Sequence, residues 1–186
     1  MKVVFAALLL LPVTAVAERS PWSFSAGPRL EAAAEHGLGG SQAGARWRFS
    51  ESFALDLVGR QGYLSSYEEG LGDHAYVALL AGITWQGADA GDGWTPNVSA
   101  RLAHIHHATA ESWAETPGAN IAGDSNGGVE HRSGAELAVG LLGPRLYSGE
   151  GWHLRWSVEL SGTTLPSSEV MGWSMGLTGG VALGFD

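Results

Sequence analysis

The chain has 186 residues, enough for one domain, and sets 10 Lys and Arg against 19 Asp and Glu for a formal net charge of −9. That acidic balance excludes a nucleic-acid-binding role, which needs a basic face. With no cysteine, the fold must be held by a packed core or by closure of a sheet.

The first 17 residues read as a secretory signal. Lys2 is the positive start, Val3 to Leu11 the apolar stretch, and Ala15-Val16-Ala17 a small-x-small cleavage site. The apolar run falls short of the ~20 residues that a membrane-spanning helix needs. Export would leave a domain over 18–186, and losing Lys2 with no acid moves the charge from −9 to −10. No later stretch is apolar enough to span a bilayer as a helix, so membrane passage would require a closed barrel.

Beyond that point the pattern has period two. Eight alternating blocks separated by Gly, Pro, Ser and Asp run over about 22–33, 41–49, 53–63, 74–86, 95–108, 128–142, 151–162 and 172–185. In the first, Trp22, Phe24, Pro28 and Leu30 oppose Ser23, Ser25, Arg29 and Glu31. In the second, Trp47 and Phe49 oppose Arg46 and Arg48. In the third, Phe53, Leu55 and Leu57 oppose Asp56, Val58 and Arg60. The fourth sets Val77, Leu79, Ile83 and Trp85 against Ala78, Leu80, Gly82 and Thr84. The seventh sets Trp152, Leu154, Trp156, Val158 and Leu160 against His153, Arg155, Ser157, Glu159 and Ser161. In the eighth, Trp173, Met175, Leu177, Val181, Leu183 and Phe185 oppose small residues. The expected fold is all-β: an eight-stranded antiparallel transmembrane β-barrel of up-and-down topology.

A soluble lipocalin-type barrel would alternate as well, with its apolar face inward. Two features favour the opposite orientation. Seven of the nine arginines (29, 46, 48, 60, 101, 132 and 155) share the polar faces with Glu31, Asp56, Glu136 and Glu159, as in a lumen of paired charges. Trp and Phe stand at strand ends on the apolar faces, as interfacial girdles do. The connections are expected to alternate between short turns and longer loops, the longest over about 109–127. The expected location is the outer membrane, with outer-membrane lipid or lipopolysaccharide and the barrel-assembly machinery as partners. Phe185, next to last, resembles the terminal aromatic of an assembly signal, displaced by Asp186.

Block five breaks its own pattern. Its outward parity runs Val98, Ala100, Leu102, then His104 and His106. Polar side chains facing lipid are costly, so these imidazoles either snorkel into the headgroup zone or form a site on the outer wall. Arg101-Leu102-Ala103-His104-Ile105-His106-His107-Ala108 and the later Asn126-Gly127-Gly128-Val129-Glu130 resemble the two motifs of the lipid A 3-O-deacylases. These motifs are Arg-x-x-His-x-Ser-Asn-Ala and Asn-x-Gly-x-Glu. The resemblance covers about thirty residues. It implies an eight-stranded outer-membrane barrel with a lipid-facing active site. In that site His104 would be the base and Glu130 the group that orients it. His106 would stand at the nucleophile position, where the family has Ser, and His107 at the oxyanion position, with Arg101 and Asn126 in substrate-binding positions. Without a hydroxyl at 106, the family's serine mechanism cannot run unchanged.

Strand parity conflicts with that assignment. With Leu137, Val139 and Leu141 outward, His131 points outward and Glu130 inward. His104, His106 and His131 would then make a three-imidazole face suited to Zn²⁺, although no cofactor is required by the primary reading. Ser125 and Ser133 flank the second motif, and spacing favours neither as a displaced nucleophile. His36 and His74 read as solvated residues at strand ends, and Glu68–Glu69 and Asp89/Asp92 as turn acids. Two functional readings follow. One is a barrel resembling lipid A deacylases, with an altered outward histidine site that hydrolyses or binds lipid acyl esters. The other is a non-catalytic structural or adhesive barrel acting through loop residues such as Trp113, Pro117 and Ile121.

Overall fold

A computed structural model describes residues 20–33, 36–66, 72–88, 93–124, 128–166 and 172–185. The signal segment, Ser125, Asn126, Asp186 and the acidic pairs Glu68–Glu69 and Asp89/Asp92 lie outside them. Eight strands run in chain order: β1 Trp22–Ala33, β2 His36–Arg48, β3 Phe53–Ser66, β4 His74–Gln86, β5 Thr95–Thr109, β6 Glu130–Gly149, β7 Trp152–Thr164 and β8 Trp173–Phe185. Two short helices, α1 Ala110–Glu115 and α2 Pro117–Ala122, follow β5. Each strand pairs antiparallel with the next, and β1 pairs with β8 from Ser23↔Gly184 to Ala33↔Ser174, so the sheet closes into an up-and-down barrel. Closure removes both sheet edges, which is what lets strands lie in lipid.

Two strands are longer than their side-chain alternation indicates. β2 begins at His36 rather than near residue 41, because Gly37, Gly39 and Gly40 pair through their backbones but show no alternation. Only residues 34 and 35 therefore separate β1 from β2, where a long loop was expected. β6 continues past Leu142 through register shifts on either side of Arg145. It then turns at Glu150–Gly151, where Gly151 takes a φ of 75° that favours glycine. The β6–β7 connection is thus also short. Trp22, Trp47, Phe53, Trp85, Trp152 and Phe185 all stand at the end of the β2–β3 and β6–β7 turns, with Trp173 at the opposite end, which carries α1, α2 and the longest loop.

The orientation is apolar side out. Leu30, Leu55, Leu79, Leu102, Leu137, Leu160, Met175 and Leu177 are exposed, whereas Arg29, Glu31, Asp56, Arg60, Arg101, Glu136 and Arg155 are buried. In the lumen Arg60 and Arg101 both donate to Glu136. Arg101 also donates to Asp56 at 2.7 Å and to Glu159 at 2.6 Å, and Arg60 donates to Gln42 at 2.6 Å. A separate pair, Arg29–Glu31 at 2.9 Å, takes a further hydrogen bond from Tyr76 at 2.7 Å. Each charge finds partners, the condition for burying ions. Toward the long-loop end an apolar plug that includes Leu64, Leu80, Ile105 and Leu165 fills the lumen. The interior of so small a barrel is packed by side chains.

An outer wall of this kind is stable in lipid, where apolar side chains need no burial. Leu137, 69% exposed, lies at mid-strand opposite Ala100 and Gly162. Leu137→Arg is expected to cost about 2–4 kcal/mol, the value for a cation near the bilayer midplane. Denaturant titration of the barrel refolded into vesicles measures it. A cost near zero would mean that this wall faces water.

Candidate functional site

The outward parity of β5 places His104 and His106 on the outer wall toward the long-loop end, one step past Leu102, which is 74% exposed. Across the ladder, His104 pairs with Ser133 and His106 with His131, so β6 supplies two further polar groups to the same face. His104 Nε2 lies 2.9 Å from His106 Nε2, and His104 Nδ1 lies 3.0 Å from Ser133 Oγ. The rings of His106 and His131 are 4.5 Å apart between centroids.

The loop after β5 folds over this wall. Thr109 caps α1 by accepting from the Ser112 backbone N–H, and the Trp113 indole donates to the Ala75 carbonyl at 2.7 Å. Buried Asn120 ties α2 to α1 by donating to the Ser112 carbonyl at 2.8 Å. Two loop carbonyls then reach the imidazoles: that of Ile121 lies 3.2 Å from His106 Nδ1 and that of Gly123 lies 2.8 Å from His131 Nε2. Gly123 has a φ of 76°, and a Cβ there would come within 2.5 Å of the His131 ring and 2.7 Å of the His106 ring. Only glycine permits both that backbone and that approach. The packing also explains why outward alternation fades beyond His104: His106 is only half exposed and Ala108 is buried.

These contacts fix the protons when the rings are neutral. A carbonyl only accepts, so His106 carries its proton on Nδ1, and its Nε2 must accept from His104 Nε2–H. His104 Nδ1 is then left with a lone pair, facing the Ser133 hydroxyl. The result is a relay from Ser133 O–H to His104 to His106 to the Ile121 carbonyl. A hydroxyl donating to an imidazole that is itself oriented by a third group is the arrangement that activates serine.

The other residues of the deacylase-like motifs lie elsewhere. Arg101 is in the lumen network, and buried His107 also points inward. Glu130 sits at the inner rim, paired with Arg132 and 3.6 Å from His107 Nε2, so the orienting acid expected from the resemblance is on the far side of the wall from His104. His106 contacts the ring nitrogen of His104 that faces away from Ser133. His36 is buried rather than solvated and rests edge-on against His74, 5.8 Å between centroids. Ser133 was visible in the sequence but undistinguished there. Its significance comes from the register His104↔Ser133, which the sequence alone does not supply.

Beside the site the wall is shallow. Ala81, Ala100, Ala135 and Gly162, with Leu102 and Leu137 between them, line a shallow trough. Ala135 lies one outward step from Ser133 on β6. The depression is apolar and open to the side.

No family model matches the chain, and no curated protein matches it. Its likeness to the deacylases therefore rests on the motif residues alone. Among solved structures, the chain is similar to Neisserial surface protein A at 12% identity, covering 90% of this chain and 98% of that one with a TM-score of 0.54. It also aligns with the N-terminal β-barrel domain of Pseudomonas aeruginosa OprF at 16% identity, covering 90% and 98% with a TM-score of 0.43. A third alignment is with the outer membrane protein OprG of Pseudomonas aeruginosa at 9% identity, covering 88% and 92% with a TM-score of 0.46. The first likeness agrees with the closed eight-strand topology and shows the fold, that of small outer-membrane β-barrels, and the exposed apolar wall is the surface a barrel presents to lipid.

Proposed function

We propose that this barrel hydrolyses an acyl ester of an outer-leaflet lipid, with Ser133 as nucleophile, His104 as general base and His106 as the group that orients His104. The observation that carries the reading is the 3.0 Å contact between Ser133 Oγ and His104 Nδ1 on a lipid-facing wall. Ester carbonyls of lipids lie where acyl chains meet headgroups. Bare Leu102 on one side of the site and the loop after β5 on the other support a position at such a boundary. The trough below Ser133 would hold the acyl chain whose ester is cleaved.

In the reaction, Ser133 Oγ bonds to the ester carbonyl carbon while its proton passes to His104 Nδ1. The tetrahedral adduct collapses with cleavage of the bond to the alkoxy oxygen, which takes the proton from His104 and leaves as an alcohol. Water then attacks the acyl-serine, giving its proton to His104, and the fatty acid departs as Ser133 is reprotonated. The resemblance to lipid A 3-O-deacylases points to lipopolysaccharide acyl chains as the substrate class. Mass spectrometry of envelope lipids from cells with and without the protein tests the proposal. The expected result is a lipid species lacking one acyl chain, absent when His104→Ala is expressed at the same level. Identical lipid profiles with folded wild-type protein would refute it.

A further inference from the structure

We infer that His104, His106 and His131 form a binding site for a divalent transition-metal ion, with Zn²⁺ the best fit, and that metal binding switches off Ser133. The inhibitory half rests on the hydrolase reading above; the binding half does not. The three residues offer ring nitrogens that all lie within 4.8 Å of one another. A tetrahedral zinc with Zn–N bonds of ~2.05 Å needs its nitrogens about 3.3 Å apart. The 2.9 Å between His104 and His106 therefore needs to open only slightly, and His131 needs to swing inward.

The surroundings are those of a ligand set. Metal-binding imidazoles are commonly held by a hydrogen bond from the nitrogen that does not bind the ion. Here all three have one: His104 Nδ1 to Ser133 Oγ, His106 Nδ1 to the Ile121 carbonyl and His131 Nε2 to the Gly123 carbonyl. Two of these partners belong to the last turn of α2 and its C-cap, so the ion would clamp that end of α2 to the wall. Three neutral imidazoles without a carboxylate suit zinc, cobalt, nickel or copper, not calcium or magnesium. The fourth position would face outward, toward a water or a lipid oxygen of the headgroup zone.

The consequence for Ser133 follows from proton placement. An ion on His104 Nε2 occupies that lone pair, and the ring proton moves to Nδ1. His104 then donates to Ser133 Oγ and can no longer accept its proton. The relay that activates the serine and the site that binds the metal thus use the same ring in exclusive tautomers.

Zinc binding to the purified, folded barrel in detergent, measured by competition with a chromophoric chelator, tests the inference. One zinc per chain is expected, with affinity at least tenfold lower in His131→Ala and unchanged in His74→Ala. Cobalt should show the visible absorption of a tetrahedral ion. Absence of stoichiometric binding, or equal binding by His131→Ala, overturns the site. For the second half, zinc should suppress ester hydrolysis at least tenfold and chelator should restore it. Zinc that binds with unchanged hydrolysis overturns the switch. A metal-free barrel that never hydrolyses lipid would refute the hydrolase while leaving the binding result standing.

Discussion

Ser133→Ala is expected to lower ester hydrolysis at least about a thousandfold, equivalent to roughly 4 kcal/mol of transition-state stabilisation. Removing the hydroxyl leaves His104 in place but takes away the atom that bonds to the acyl carbon. His104→Ala should cost a similar factor, because nucleophile and base act as one unit and their effects do not add. His106→Ala should cost less, about a hundredfold, since His106 only orients the base and offers no charge to the imidazolium that forms. Glu130→Ala provides the contrast. Its carboxylate is paired with Arg132 at the inner rim, so the rate should be unchanged. Hydrolysis of a short-chain ester by the detergent-folded barrel measures all four. A Ser133→Ala protein as active as wild type would remove this serine from the mechanism, and a Glu130→Ala protein that is inactive would restore the motif-based arrangement.

Much of this architecture was legible in the amino-acid order, and the parts that were not share a cause. Strand positions, the apolar outer face and the charged lumen all follow from period-two alternation, because in a barrel each side chain has only two directions available. The alternation is silent where side chains carry no contrast. The Gly-rich start of β2 and the bulged end of β6 pair through backbone groups that a hydropathy pattern does not register. At the site, parity on β5 and β6 correctly separated outward His104, His106 and His131 from inward Arg101 and Glu130. It did not show which residue of β6 stands opposite which residue of β5. Once His104 is aligned with Ser133, an unremarkable serine becomes the histidine's partner. The carbonyls of Ile121 and Gly123 were equally hidden, since any residue has a carbonyl and only the loop's path aims it. Gly123 alone left a trace, as a glycine whose φ and close approach admit nothing larger.

The lumen sets the stability on which that wall depends, and Glu136 is its most connected acid. It accepts from both terminal nitrogens of Arg60, from Arg101 at 2.8 Å and from the Thr163 hydroxyl at 2.8 Å, while almost wholly buried. Glu136→Ala would leave two buried guanidinium groups facing a gap. Arg101 could still reach Asp56 and Glu159, but Arg60 would keep only Gln42 and a distant Glu159 at 3.8 Å. Breaking a buried ion pair from one side costs about 3–5 kcal/mol, more than the pair itself contributes, because the stranded charge stays desolvated. By contrast, Glu130→Ala at the exposed rim should cost no more than about 1 kcal/mol. Urea titration of both variants in the same vesicles tests the difference. The double change Glu136→Met with Arg60→Met should recover much of the loss, since it removes charge from both sides at similar volume. If Glu136→Ala were as stable as wild type, water would have to reach the middle of the barrel, and the lumen would be a wet channel rather than a packed ionic core.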